Sequence, residues 1–190
     1  MYNRESYLSA VKSQLEPNIV NHSLALEACM SGLYDYFQDG SDKSDWLLAG
    51  LIHDIDFAGE FKLDHPKKTR EALAKFNLEI SDVVDDIVKS HAPDLTGVKP
   101  QTKVQWSIFC ADSLTGLIMA VAFVYPSRKL ADVKLSSVLK RFLKEPKFAA
   151  GPRRNEVIQC EDPAGLNLKL DQFTDICLKS MQSIAPTIGL

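Results

Sequence analysis

The chain has 190 residues, 45% hydrophobic and 25% charged, with a formal net charge of −3. That length suits one domain with a sizeable core, and that balance excludes a disordered or fibrous chain. The N-terminal stretch lacks the basic and apolar regions of a secretory signal. The four cysteines, Cys29, Cys110, Cys160 and Cys177, form no CxxC pair, so they read as reduced, buried thiols of a cytoplasmic protein and not as a zinc–thiolate site.

After Pro17, with Asn18 offering an N-cap, Ile19, His22, Leu26, Met30, Leu33 and Phe37 recur at three- and four-residue spacings, which predicts a helix ending at Asp39-Gly40. Ser44 then reads as the cap of a short helix from Asp45 to about Asp54. Trp46, Ala49, Gly50 and His53 share its face, and the small residues admit a neighbouring backbone close to His53. Asp64-His65-Pro66 reads as the start of a third helix, with Asp at the cap and Pro in the first turn, running to about Phe76. Ile80, Val84, Ile87 and His91 mark a fourth, ended by Ala92-Pro93-Asp94.

Val104 to Val124 is the longest apolar helix, with Ile108, Asp112, Thr115 and Met119 along one stripe. Its apolar run, Leu114 to Tyr125, is shorter than the roughly 20 residues that span a bilayer, so a buried core helix is expected and no membrane partner. Asp112 is the only charged residue between Lys103 and Arg128. Buried there, it must be paired, ligated or protonated, because an isolated buried charge is strongly unfavourable. A basic helix from Val133 to Leu143, a Gly/Pro loop at residues 148–154 and two further helices, the last near Leu170 to Ile184, complete the chain. No stretch alternates like a strand. The expected architecture is therefore all-α: one domain over residues 1–190, with a core over about 18–125 and a basic C-terminal segment, about 126–190, packing on it. The terminal peptide Ala185–Leu190 is either a frayed end or a contact of a homodimer.

Charge is divided along the chain. Residues 1–95 hold 9 Lys/Arg and 17 Asp/Glu, residues 96–190 hold 13 and 8, and residues 128–154 alone hold nine basic residues against two acids. An acidic half suits cations and an adjoining basic stretch suits an anionic ligand. Phe142 and Phe148 within that stretch could stack on bases, but the sequence pI of 5.8 and the absence of a binding motif argue against a nucleic-acid partner.

The chain has four histidines, His22, His53, His65 and His91. Any one alone fits a hydrogen-bonded core position. With Asp54 and Asp112 they form a set of six imidazole and carboxylate ligands, a chemistry suited to Fe, Mn, Co, Ni or Zn and less to Mg alone. His53 and Asp54 point about 100° apart on a straight helix, yet can share a metal near its end. His22, His53, Asp54 and Asp112 make a mononuclear site, leaving His65 and His91 for a second metal.

Asn21-His22-Ser23-Leu24, then Leu51-Ile52-His53-Asp54-Ile55-Asp56, then Ala111-Asp112 resemble the H…HD…D signature of the HD superfamily of metal-dependent phosphohydrolases. His65 in Asp64-His65-Pro66-Lys67-Lys68 and His91 in Lys89-Ser90-His91 are similar to the extra histidines of its HDIG-type branch, which tends toward dinuclear sites. Ala111–Ile118, Tyr125–Leu130 and Phe148–Gly151 extend the likeness to a small bacterial group of predicted HD hydrolases, over roughly residues 18–160. Asp56 stands where the HDIG glycine would be, either as an acceptor that orients a ligating imidazole or as a polar residue facing solvent.

The resemblance implies an HD-type helical bundle with the metal site between its central helices. It also implies hydrolysis of a phosphoester, a nucleotide or small phosphate ester, by attack of metal-bound hydroxide. His22, His53, Asp54 and Asp112 would bind the first of two divalent transition metal ions (Fe or Mn; Zn, Co, Ni or Mg as alternatives). Asp54 would bridge to a second, completed by His65 and His91, and His53 and Asp54 would be central to catalysis. Arg128, Lys129, Lys147 and Arg153 are the candidate phosphate contacts; Lys67, Lys68 and Lys89 are candidates for the leaving group. Two rivals share these ligands: a di-iron oxygenase of the same fold, and a non-catalytic sensor of nucleotides or phospho-ligands.

Overall fold

The computed structural model describes residues 3–190, and among these there is no β-strand. The helices are α1 (Arg4–Gln14), α2 (Pro17–Phe37), α3 (Lys43–Ile52), α4 (Thr69–Ala74), α5 (Asp82–Ser90), α6 (Pro93–Thr96), α7 (Lys103–Val124), α8 (Leu135–Lys144), α9 (Arg154–Val157) and α10 (Leu170–Ser183), with short 3-10 turns at Gly59–Asp64, Leu130–Asp132 and Ile158–Glu161. The all-α expectation holds.

Helix ends follow local chemistry. Pro17 occupies the first turn of α2, so the helix begins before Asn18, with Glu16 at the N-cap. This fits proline's preset backbone angle and its missing N–H, which a first turn does not need. Asp42, and not Ser44, caps α3: its carboxylate accepts the Ser44 amide at 2.8 Å. Ser81 caps α5 through the Val84 amide. Thr102 and Gln105 form a reciprocal capping box at the start of α7. The helix expected from Asp64 starts only at Thr69. His65, preceding a proline, is extended with ψ 138°, as the clash with the proline ring favours.

The core is built around α2, which packs against α3, α7 and α10, while α5 packs on α3 and α7. Helices α8 and α9 pack on α7. Phe173, Cys177 and Met181 of α10 join the same buried cluster as Leu26, Met30 and Leu33 of α2. The terminal peptide is not frayed: Ile188 is buried, and its carbonyl accepts from Asn21 Nδ2 at 3.1 Å. All four cysteines are unbridged and buried. α1, which is not among the expected elements, is anchored by a two-pronged pair, Arg4 Nε and Nη2 at 2.6 and 2.7 Å from the Glu27 carboxylate.

Helix α7 is the one helix among the described residues long and apolar enough to cross a membrane, but 67% of its most apolar window is buried inside the protein. It packs against α2, α5, α8 and α9, the surroundings of a core helix.

Gly50 sets the approach of α2 to α3. A Cβ there would stand 2.9 Å from Glu27 Cα and 3.0 Å from Glu27 N, both backbone atoms. Gly50→Ala is therefore expected to destabilise the protein by about 1–3 kcal/mol, despite the better helix propensity of alanine, and to separate His22 from His53. Chemical denaturation measures this; an unchanged midpoint would show that the two helices have slack at the contact.

Candidate metal centre

Six side chains from five parts of the chain meet between α2, α3, α5 and α7. His22 comes from the first half of α2 and Asp112 from the middle of α7. His53 is the C-cap of α3 and Asp54 begins the turn after it. His91 is the C-cap of α5, and His65 lies on the loop before α4. His53 keeps helical backbone angles, φ −53° and ψ −33°, and α3 passes into a turn directly after it. The turn closed by Phe57 N to Asp54 O, 2.7 Å, brings both side chains toward one centre.

The potential ligand atoms form two triads with one member in common. His22, His53 and Asp54 each offer an atom within 4.8 Å of the others, and so do Asp54, His65 and His91. Asp54 faces them with different oxygens. Its Oδ2 lies 3.3 Å from His53 Nε2 and 3.9 Å from His22 Nε2; its Oδ1 lies 3.4 Å from His65 Nε2. Asp112 Oδ1 closes the first group, 2.9 Å from His22 Nε2 and 3.8 Å from His53 Nε2.

The imidazoles are oriented from behind. Nδ1 of His53 donates to the Gly50 carbonyl at 2.9 Å and that of His91 to the Val88 carbonyl at 2.5 Å. Nδ1 of His65 donates to Asp56 Oδ1 at 2.7 Å. Thr115 Oγ1 donates to the Asp112 carbonyl at 2.7 Å and so accepts from His22 Nδ1 at 3.0 Å. With each Nδ1 donating backward, each Nε2 is turned toward the centre and can serve as a lone-pair donor once any proton it carries is displaced by an ion.

These residues fit a metal on their own chemistry. His53 Nε2 is fully buried and makes no well-formed hydrogen bond among the described residues, Asp54 Oδ2 standing at 3.3 Å, an arrangement that is unfavourable unless something else meets it. Burial opposes charge on His53, yet Asp54 and Asp112 outweigh burial and raise its pKa to about 9. Burial likewise opposes charge on the two carboxylates, but His53 holds Asp54, and His22 holds Asp112, well below the usual carboxylate range. Burial, reinforced by His53, lowers His91 to about 4. The centre thus sets two ionised carboxylates against the imidazole Nε2 atoms, with His53 holding its second proton at neutral pH until an ion displaces it.

Asp56 is buried and does not face solvent. Its Oδ1 holds His65 and its Oδ2 accepts the Lys68 amide at 2.8 Å, so it fixes the ring against the loop. Asp56→Asn is expected to weaken metal at the His65–His91 triad by about 10–100-fold and leave the His22–His53 triad nearly unchanged. Titration with Mn, read by calorimetry, separates the two; equal loss at both would refute that division.

The four expected phosphate contacts do not converge. Arg153 lines a cavity of about 470 Å³ together with His22, Asp54, Asp112 and Gly116. Its Nη2 is 3.5 Å from Asp112 Oδ2 and its Nε 2.9 Å from Glu156 Oε2. Arg128 and Lys129 line a different cleft, with Gln182 and Pro186, because the chain turns away after α7. Lys147 is exposed and lines neither cavity. Lys68 and Lys89 are paired with Glu71 and Asp85, each at 2.7 Å.

Two contributors were not identified as such from sequence. Thr115 follows Asp112 by three residues, the spacing that stacks side chains on one helix face. Glu156 follows Arg153 by the same spacing and is an acid within a basic segment. Comparison of the chain with family models, curated proteins and solved structures gives no match. The coarse class defined by fold and site is therefore an all-α protein with a His/Asp cluster able to hold a metal ion.

Proposed function

We propose that the protein is a metal-dependent phosphohydrolase of the HD superfamily with a dinuclear centre. The observation that carries this reading is Asp54, whose two oxygens face two different ligand triads, as a bridging carboxylate would. His22, His53, Asp54 and Asp112 hold one ion; Asp54, His65 and His91 hold the other. Fe and Mn suit this mixed nitrogen and oxygen set. Such ions supply Lewis acidity toward phosphoryl oxygens and make nucleophilic water available near neutral pH.

The surrounding residues add the rest. Arg153, 46% exposed in its side chain, presents its guanidinium at the mouth of the cavity, where it can grip phosphoryl oxygens. Asp56, Thr115 and the Gly50 and Val88 carbonyls keep the imidazoles aimed. The ligand is a phosphorylated small molecule or a nucleotide.

The test is metal content of protein purified without added metal or chelator, paired with phosphoester turnover in the absence of oxygen. About two transition-metal equivalents are expected for wild type, from the two triads that share a carboxylate, falling toward one in His65→Ala/His91→Ala. Turnover with Mn and without oxygen is expected for the hydrolase. Activity that requires iron and consumes oxygen would replace it with the oxygenase. Metal binding without any turnover would replace it with a sensor.

A further inference from the structure

A second cavity, of about 480 Å³, lies on the far side of the Arg153–Glu156 pair, between α6, α7 and α9. Its volume is in the range of small-molecule sites. Trp106 and Phe109 form its apolar wall, with rings T-shaped and centroids 5.9 Å apart. The indole is held against the Gly165 backbone so closely that a Cβ on Gly165 would stand 2.9 Å from it.

Two acids line the same space, Asp94 and Glu156. Glu156 is 6% exposed. Its Oε2 is engaged by Arg153 and by Ser113 Oγ, the latter at 3.5 Å, while its Oε1 has no hydrogen bond among the described residues. The Asp94 carboxylate has no ion pair among them either. Burial, opposed by Arg153 and reinforced by Asp112 and Asp94, raises the Glu156 pKa to about 7. Lys99 also lines the cavity and Arg153 offsets Glu156 from behind, which leaves the Asp94 carboxylate and Glu156 Oε1 as the acceptors the lining offers. A buried carboxylate with one oxygen unengaged, a second carboxylate on the same wall and an aromatic face together describe an acceptor site for a cation.

We propose that this cavity takes a protonated amine: the ligand is a phosphoester whose organic part ends in an ammonium group, held by Asp94 and Glu156 against Trp106 while its phosphoryl end meets Arg153 at the metal centre. This rests on the phosphoester reading of that centre. An ammonium group has three donors and no acceptor, which matches two carboxylates. Arg153 touches both Asp112 and Glu156, at 3.5 and 2.9 Å, so a group bound at this guanidinium lies beside a lining residue of each cavity. A hydrocarbon in place of the amine would cover Glu156 Oε1 without pairing it, the condition under which a site discriminates most strongly.

The experiment is calorimetric titration of the full-length, Mn-loaded protein with phosphoethanolamine and 3-aminopropyl phosphate, each against its methyl isostere, propyl phosphate and butyl phosphate. At least one amine is expected to bind about tenfold or more tightly than its isostere, the size of one charge-assisted hydrogen bond. That ratio should collapse toward one in Asp94→Asn/Glu156→Gln, which keeps both shapes and is checked for folding by circular dichroism. Equal affinity within both pairs for wild type would overturn the proposal. A preference that survives the double substitution would also overturn it, by locating the amine elsewhere.

Ethanolamine and 3-aminopropanol, titrated against propanol and butanol, separate the two readings. If the free amines keep their preference but phosphate adds no affinity and no ester turns over, the phosphoester centre fails, and with it the joined ligand. If phosphate adds affinity and the amine does not, only the inference drawn from this cavity fails.

Discussion

An Asp54→Ala protein is expected to lose both metal ions, with affinity at each triad falling by more than about 100-fold, beyond what loss of a hydrogen bond behind a ligand produces. Phosphoester turnover should fall to background with it. Asp54 is the only residue shared by the two triads, and its oxygens are divided between them, Oδ2 toward His53 and Oδ1 toward His65 at 3.3 and 3.4 Å. His65→Ala/His91→Ala should spare one ion; Asp54→Ala should spare neither. The side chain also neutralises His53, so its removal lets that imidazole discharge, which limits the stability loss to less than the roughly 3–5 kcal/mol of a broken buried pair whose partner stays charged. Metal analysis after dialysis reads the result. One retained equivalent would mean that the triads are independent and that Asp54 does not bridge.

The second large effect is on pH. His53 has its pKa raised from 6.5 to about 9 by Asp54 and Asp112, against the effect of burial. A raised histidine pKa contributes stability that is fully present below the unfolded value and disappears as pH climbs through the folded one. Metal-free protein is therefore expected to lose a few kcal/mol, as an order of magnitude, between about pH 6.5 and pH 9. Metal binding runs the opposite way, because an ion must displace the His53 proton. Affinity should rise about tenfold per pH unit across the same window and level off near pH 9. His91, lowered to about 4 by burial and by His53, is neutral in the folded protein across this window and adds no slope to metal affinity. Thermal melts of chelated protein, taken as differences from His53→Gln, isolate the first effect, and Mn titrations at three pH values the second. A flat melting temperature together with pH-independent affinity would show that His53 is neutral without metal.

Much of the site could be read from the chain. The spacings that placed His22 on the inner stripe of α2, and Asp112 on that of α7, are consequences of 3.6 residues per turn. α2, α5, α7 and α10 appeared near their expected places because their apolar periodicity is long. α1 was not anticipated: it is held by Arg4 on Glu27 and by Tyr7 Oη on the Glu79 carbonyl at 2.6 Å, contacts 23 and 72 residues apart in sequence that leave no local pattern. The third helix was placed too early because Asp64 and Pro66 mimic a helix start, while the backbone at His65 is extended and the Lys68 amide is bound by Asp56. The division of the basic residues was equally hidden. Arg128 and Arg153 look alike in composition, but one follows the chain away from the centre after α7, and the other is turned toward Asp112 by a buried glutamate.

By itself, then, the sequence determined the helical class, the membership of the histidine and aspartate set and the helices that carry most of it, since these depend on residue type and short-range periodicity. Only the tertiary structure decided that Asp54 divides its oxygens between two triads, that Asp56 is buried behind His65, and that Arg153 alone of the four basic candidates lines the metal-facing cavity. Each of these is a relation between side chains that lie on different elements, set by how closely α2, α3, α5 and α7 pack and by where the chain leaves them.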